Sequence, residues 1–405
     1  MKTNYYADYL FDSISDVVVQ NGAVQVDGTH ISYVGKRSDA PAADREIELG
    51  NATIMPGLID SHVHLTWCGF HKRPTDLVQE EGPKITTLRA ASNATRHFRA
   101  GVTTVRDMGS SGIARDVRDA INKGVMVGPR VIACGNAIVQ TGGHIYEAGI
   151  EADGPAEVAK AVRRELREGS DFIKMCASGG VYGKREGIFA PQYSVEELKV
   201  GADIARQAGT YVSVHAYGEK AIRNSLDAGV TRIEHGLDLT PELAERMAAE
   251  GQWLVSTMCC YGKQLEMGEQ LDTPAFFMEK LKIGLEHADF GFRNALKAGV
   301  KIAAGSDCGG PGLLHEVLGE ELVLMVGAGA TEAYAVKTAT AFAAEMIGID
   351  DVTGTLSVGK EADIAVFDGC PLKNIRDIFN TKLTLRAGEQ VYPYVDGGWF
   401  RYHTF

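Results

Sequence analysis

No run of apolar residues in the chain approaches the roughly 18 that a bilayer-spanning helix needs, so a membrane role is not expected. Basic clusters are missing too. The 405 residues carry a net charge of -12, with a pI near 5.4, and no basic face is concentrated anywhere, which argues against nucleic acid and for small-molecule chemistry. The seven cysteines form no C-x-x-C pair, and their odd number offers no disulfide framework, so reduced thiols are expected. Cys176 and Cys308 read as small packed hydrophobes. The start, Met1-Lys2-Thr3-Asn4-Tyr5, lacks the charged head and apolar middle of a signal peptide, which leads to the expectation of a cytoplasmic protein. Long charged blocks and low-complexity stretches are also absent, so the whole chain should fold.

What is present is a repeated unit. Helical stretches end in glycine and lead directly into short apolar strands, as at Ala100-Gly101-Val102, Ala208-Gly209-Thr210, Ala228-Gly229-Val230 and Ala298-Gly299-Val300. Gly169 and Gly251 read the same way. The strands that follow are Leu58–Leu65, Val102–Met108, Arg130–Gly135, Phe172–Cys176, Tyr211–Ala216, Arg232–His235, Trp253–Met258 and Lys301–Ser306. Eight strands alternating with helices such as Pro155–Glu168, Val195–Gln207 and Pro241–Glu250 predict an α/β fold, a (β/α)8 TIM barrel over residues 57–354. The two ends are different. Residues 1–56 carry the strand-like pieces Asp16–Val19, Gly22–Val26 and His30–Val34, and residues 355–405 carry Asp363–Phe367, Leu383–Arg386 and Gln390–Val395. Together they predict one small, discontinuous β-sandwich domain built from both termini, the alternative being two unrelated extensions.

The first strand ends in Gly57-Leu58-Ile59-Asp60-Ser61-His62-Val63-His64-Leu65. Strand alternation puts His62 and His64 on one face, where both imidazoles can reach one metal ion, although two same-face histidines can also be hydrogen-bonded in a polar core. Further candidates fall at the C-terminal ends of other strands, where barrel enzymes build their sites: Lys174, His215, His235 and Asp307. Each has a bland alternative, a satisfied core histidine, a salt-bridged lysine or a turn-capping aspartate. A lysine inside Phe172-Ile173-Lys174-Met175 is costly, however, unless its charge is paired or chemically removed.

These segments, with Ile233-Glu234-His235-Gly236, Gly305-Ser306-Asp307 and the closing Gly354-Thr355-Leu356-Ser357-Val358-Gly359-Lys360-Glu361-Ala362-Asp363, resemble the metal-dependent amidohydrolase superfamily over nearly the whole chain. Thr141-Gly142-Gly143-His144, Ile173-Lys174-Met175-Cys176-Ala177-Ser178-Gly179-Gly180 and His215-Ala216-Tyr217 are most similar to the imidazolonepropionase-related group that includes Xaa-Pro and Xaa-Arg dipeptidases. The resemblance implies two zinc ions bridged by a carboxylated Lys174, with His62, His64 and Asp307 on one ion and His215 and His235 on the other. It also implies that His144 or Tyr217 polarises the scissile carbonyl, and that subunits assemble into a homo-oligomer.

Such ligands suit a zinc-bridging hydroxide as nucleophile, with Asp307 shuttling its proton to a leaving amine. The expected reaction is hydrolysis of an amide or peptide C–N bond in a dipeptide or N-acyl amino acid. Carbamate, urea or cyclic amide hydrolysis stays open, as does a non-catalytic, metal-stabilised binding protein, which would need a closed coordination shell. Two loops depart from the related dipeptidases, Ile145-Tyr146-Glu147-Ala148-Gly149 and Cys308-Gly309-Gly310-Pro311-Gly312-Leu313-Leu314-His315-Glu316, which points to a changed leaving-group preference. The terminal aromatics Trp399, Phe400, Tyr402 and Phe405 are candidates to cover the small domain or a neighbouring subunit.

Overall fold

A computed structural model describes residues 1–71 and 73–393. The terminal aromatics, and the end of the strand expected over Gln390–Val395, lie outside the described residues. The strands run β1 Lys2–Leu10, β2 Val19–Asp27, β3 His30–Lys36, β4 Arg45–Glu48, β5 Ala52–Pro56, β6 Leu58–Val63, β7 Val102–Asp107, β8 Arg130–Ala133, β9 Ala137–Val139 and β10 Gly149–Glu151. They continue through β11 Ile173–Cys176, β12 Val212–Ala216, β13 Arg232–His235, β14 Trp253–Ser256, β15 Lys301–Ala304, β16 Ile364–Asp368, β17 Thr381–Arg386 and β18 Glu389–Tyr392.

The middle of the chain is a mixed α/β fold on a parallel core. One sheet is ordered β6-β7-β8 and the other β10-β9-β11-β12-β13-β14-β15, with every pairing parallel. At one junction Asp307 N donates to His62 O at 2.8 Å and His64 N to Cys308 O at 3.1 Å. Beyond the ends of β7 and β8 their pairing continues, with Cys134 N donating to Asp107 O at 3.2 Å and Ser110 N to Gly135 O at 3.1 Å. The third expected strand breaks at Gly135 (φ 77°), and its continuation β9 pairs with β11. Intervening helices start and stop where the side chains dictate. Ser194 and Glu197 form a reciprocal capping box for Val195–Gln207, Thr240 caps Pro241–Glu250, and Gly251 and Gly299 end their helices in the left-handed conformation.

The terminal segments share one sheet, ordered β18-β17-β16-β5-β1-β2-β3 with β4 on β1. Its core is separate, built from residues such as Leu10, Val24, Ile54, Ile364 and Leu385. β1 was not foreseen because Asn4-Tyr5-Tyr6-Ala7-Asp8 breaks apolar-polar alternation: Asn4 is buried and donates to the Tyr6 hydroxyl and Pro41 O. Asp16-Val17-Val18 precedes β2 as a loop. Among the described residues no helix is long and apolar enough to cross a membrane.

Candidate metal centre

The six candidate ligands meet. His62 lies in β6, Lys174 in β11, His215 in β12 and His235 in β13, while His64 and Asp307 follow β6 and β15 directly, so parallel strands deliver all of them to one end of the core. They line a single cavity with His144 and Tyr217. The free volume at its centre is about 20 Å³, room for an ion or a water. Ligand atoms of His62, His235 and Asp307 all lie within 4.8 Å of one another. Asp307 Oδ1 is 3.5 Å from His62 Nε2 and 3.4 Å from His64 Nε2. The His215 and His235 rings are 4.7 Å apart.

Each histidine has one nitrogen committed to the protein. His62 Nδ1 donates to Glu234 Oε2 at 2.7 Å, His64 Nδ1 to Gly109 O at 3.0 Å and His215 Nε2 to Gly179 O at 2.9 Å. His235 Nδ1 is 2.7 Å from Thr257 Oγ1. The carboxylate and carbonyl partners fix three tautomers, leaving His62 Nε2, His64 Nε2 and His215 Nδ1 as lone-pair-bearing atoms available to a cation, and Nε2 is the nitrogen of His235 not engaged by Thr257. The supports are themselves held. Asp107 accepts from Leu65 N, Gly109 N and Ser110 Oγ, which fixes the turn presenting Gly109 O, and Glu234 also accepts from Arg106 Nη1 at 3.0 Å and from Ser213 Oγ.

Burial keeps the imidazoles of His62, His215 and His235 neutral. Desolvation, reinforced by Lys174, lowers His62 to about 4, and desolvation with neighbouring positive charge puts His215 and His235 well below the usual histidine value. For Asp307, burial pushes the carboxyl up, but His62, His64 and His235 outweigh it and hold the group below the ordinary carboxylate range. Lys174 is 2% exposed and makes no hydrogen bond among the described residues. Such a donor set, imidazoles with one uncommitted nitrogen each, an ionised carboxylate and an unpartnered amine, suits a divalent cation.

The backbone is strained at the same place. His235 (φ 71°) and Asp307 (φ 53°) both occupy the left-handed region, which costs a non-glycine residue on the order of 1–3 kcal/mol. Gly305 permits the approach of β15 to β6, since a Cβ there would lie 2.6 Å from His62 Cβ.

A roof covers the cavity. Trp67 stacks on His64 with ring centroids 3.8 Å apart, and Tyr182 meets Trp67 edge-on at 5.3 Å. His144 stacks on His215 at 4.2 Å, and its Nδ1 is 3.0 Å from Glu186 Oε1. Lys280, on the helix Ala275–Ala298, donates to the carbonyls of Gly180, Gly183 and Glu186 at 3.1, 2.5 and 2.7 Å. Sequence reasoning missed Glu186 and Lys280, because contacts between segments so far apart in the chain carry no local pattern. Glu234 was within reach: it is the one carboxylate in the strand run Arg232-Ile233-Glu234-His235.

Comparison with known proteins gives the family and the fold. The chain is 30% identical over 392 residues to the ochratoxinase of Aspergillus niger, covering 88% of this chain and 79% of that one. Among solved structures it superimposes on a Xaa-Pro dipeptidase with methionine bound in the active site at a TM-score of 0.87 and 30% identity, covering 96% of this chain and 99% of the other. It also superimposes on a prolidase complexed with N-methylphosphonate-L-proline, with TM-score 0.88, 28% identity and the same coverages. Residues 53–399 match the model of the Amidohydrolase family, and the chain belongs to that family.

Proposed function

We propose that the chain is a zinc-dependent hydrolase of an amide C–N bond in a dipeptide or N-acyl amino acid, working in a closed (β/α)8 barrel over residues 57–354, with residues 1–56 and 355–405 forming a discontinuous β domain. The observation that carries the reading is Lys174. Its ammonium group is buried without a hydrogen-bonding partner in the cavity where four histidines each present one free nitrogen. Carboxylation would turn that buried amine, which no hydrogen bond satisfies, into an anionic oxygen ligand able to bridge two ions. His62, His64 and Asp307 would hold one ion, and His215 and His235 the other. Bound zinc supplies Lewis acidity that makes water available as a nucleophile near neutral pH.

The remaining steps belong to the chain. Asp307, kept ionised by its histidine neighbours, accepts the proton of the attacking water and returns it to the departing amine. Tyr217 stays protonated, because burial raises its hydroxyl well above the usual value, so it can donate to the developing oxyanion. His144, on the opposite face of His215, is the second candidate for that role. The packed roof of Trp67 and Tyr182 excludes water from these charges. A prolidase relative binds an N-phosphonyl proline, whose tetrahedral phosphorus resembles hydrated amide carbon, which supports the same bond class for this chain.

The test exposes zinc-loaded protein in bicarbonate buffer to a panel of dipeptides and N-acyl amino acids, with Asp307→Asn as the blank, and follows released amine. Release by wild type alone establishes the reaction. Silence across the panel with about two zinc ions bound per chain overturns the peptide reading and turns the search to carbamates, ureas and cyclic amides.

A further inference from the structure

Beneath the metal centre, on the side away from the roof, the parallel strands enclose charge where packed interiors ordinarily place branched apolar layers. Arg106 of β7 is 0% exposed. Its Nη1 donates to Ser61 O at 2.9 Å and to Glu234 Oε1 at 3.0 Å, while its buried Nε and Nη2 have no hydrogen-bonding partner among the described residues. The Phe172 ring covers the guanidinium face, with Cζ 4.4 Å from its centroid, so the unused donors lie on the guanidinium edge. Tyr211, just ahead of β12, brings its hydroxyl up to the same guanidinium, and that buried hydroxyl also lacks a partner in hydrogen-bonding geometry.

The charges do not balance. Arg232 of β13 lies over the Tyr211 ring, its Cζ 3.6 Å from the centroid, and spends its donors on Met346 O and Thr231 Oγ1, with no carboxylate among its hydrogen-bond partners. Among the described residues Glu234 is the one carboxylate bonded to either guanidinium, so two positive groups share one negative one. A water molecule there could accept from Arg106 and donate to the Tyr211 oxygen, but it would leave the surplus positive charge uncancelled. An anion accepts from every donor at once, donates nothing and cancels the surplus charge.

We infer that the edge of Arg106, together with the Tyr211 hydroxyl, forms a buried binding site for a small monovalent anion of the chloride class. A groove at the end of the strands opposite the metal centre adjoins the site: Tyr211 and Arg232 line that groove together with Lys199 and Arg206. Its carboxylates are already engaged, Asp203 by Lys199 and Arg206, and Asp227 by Arg246. An anion seated there holds the guanidinium in the orientation that keeps Nη1 on Glu234, and so supports the carboxylate that orients His62.

The metal-loaded full chain tests this by thermal unfolding in sodium chloride and in sodium gluconate at equal ionic strength. Chloride should raise the midpoint along a saturable curve that gluconate does not reproduce. Tyr211→Phe removes one donor while keeping the ring that Arg232 covers, and should move the saturation curve to higher chloride. Coincident chloride and gluconate curves for wild type, or a Tyr211→Phe curve superimposing on wild type, would overturn the site. In crystals soaked with bromide, an anomalous peak within hydrogen-bonding reach of Arg106 Nη2 supports it. Bromide bound elsewhere with none at Arg106 refutes it.

Discussion

His62 Nδ1 and Glu234 Oε2 are 2.7 Å apart across the parallel core, both fully buried, and this contact decides which nitrogen of His62 can bind a cation. Glu234 takes charge-assisted bonds from His62 and Arg106 and another from Ser213, so it stays anionic against the desolvation that pushes it up. In Glu234→Gln the carboxylate becomes an amide that can present either a donor or an acceptor to Nδ1, and the tautomer is no longer enforced. Zinc affinity, measured by competition with a chelator, should fall about 10- to 100-fold, the usual penalty for losing such a support. An unchanged affinity would show that the metal alone orients His62.

Lys174 gives a chemical prediction. Protein reconstituted with zinc and 13C-bicarbonate should show a carbamate carbon resonance that disappears in Lys174→Met, with loss of about half the bound metal as the bridge is removed. A spectrum identical in wild type and variant would leave Lys174 as an ammonium and remove the bridge from the mechanism.

The parallel core was legible because its signals are local: glycine after each helix, an apolar run, and a polar residue at the strand end, as in Ala228-Gly229-Val230 leading to His235. All six candidate ligands could be named for the same reason, each being the polar exception in a short apolar strand or just past one. What could not be read is contact between distant segments. Glu186 reaches His144 across 42 residues and Lys280 reaches Gly180 across 100, and neither pairing leaves a periodic trace. The left-handed backbone of His235 and Asp307 is equally silent, since nothing in a side chain announces that its φ is positive. β1 was lost because its buried Asn4 and Gln25 partner bond each other inside the terminal sheet, which reverses the polar-outward rule.

The roof should loosen without Lys280. Its ammonium ties three carbonyls of one loop, while Glu186 at the end of that loop also accepts from His144, Gly183 N and Gln192. Lys280→Met keeps the aliphatic stem and removes all three bonds. Amide hydrogen exchange over residues 179–187 should rise by an order of magnitude or more, since each buried bond contributes about 1 kcal/mol. Zinc content should stay unchanged, because no proposed ligand lies in the loop and Gly179, whose carbonyl holds His215, keeps its own bond to Ala190 O. Exchange equal to wild type would mean that Glu186 alone holds the segment closed.

Gly180 sits where a Cβ would run into the His144 imidazole. Gly180→Ala should therefore displace His144 from its stack on His215 while leaving zinc content intact. If His144 helps polarise the substrate carbonyl, kcat should drop with little change in metal affinity. Unaltered kcat would return His144 to a packing role.

Stability of the metal-free chain should fall steeply in mild acid, and His97 gives a clean measure of why. It is fully buried against His315, its Nε2 has no partner among the described residues, and desolvation first and His315 second lower it well below the ordinary histidine value. In the unfolded chain the same imidazole titrates near the ordinary value of about 6.5. Between that pH and the depressed folded value, the unfolded state binds a proton that the folded state does not, so the stabilisation present above about 6.5 is lost as the pH falls. One such histidine contributes a slope approaching about 1.4 kcal/mol per pH unit. Urea unfolding of chelator-treated protein from pH 7 down to pH 5 should therefore be shallower in His97→Phe than in wild type by about one proton. Equal slopes would mean that His97 is protonated in the fold and that its burial is compensated by a group other than His315.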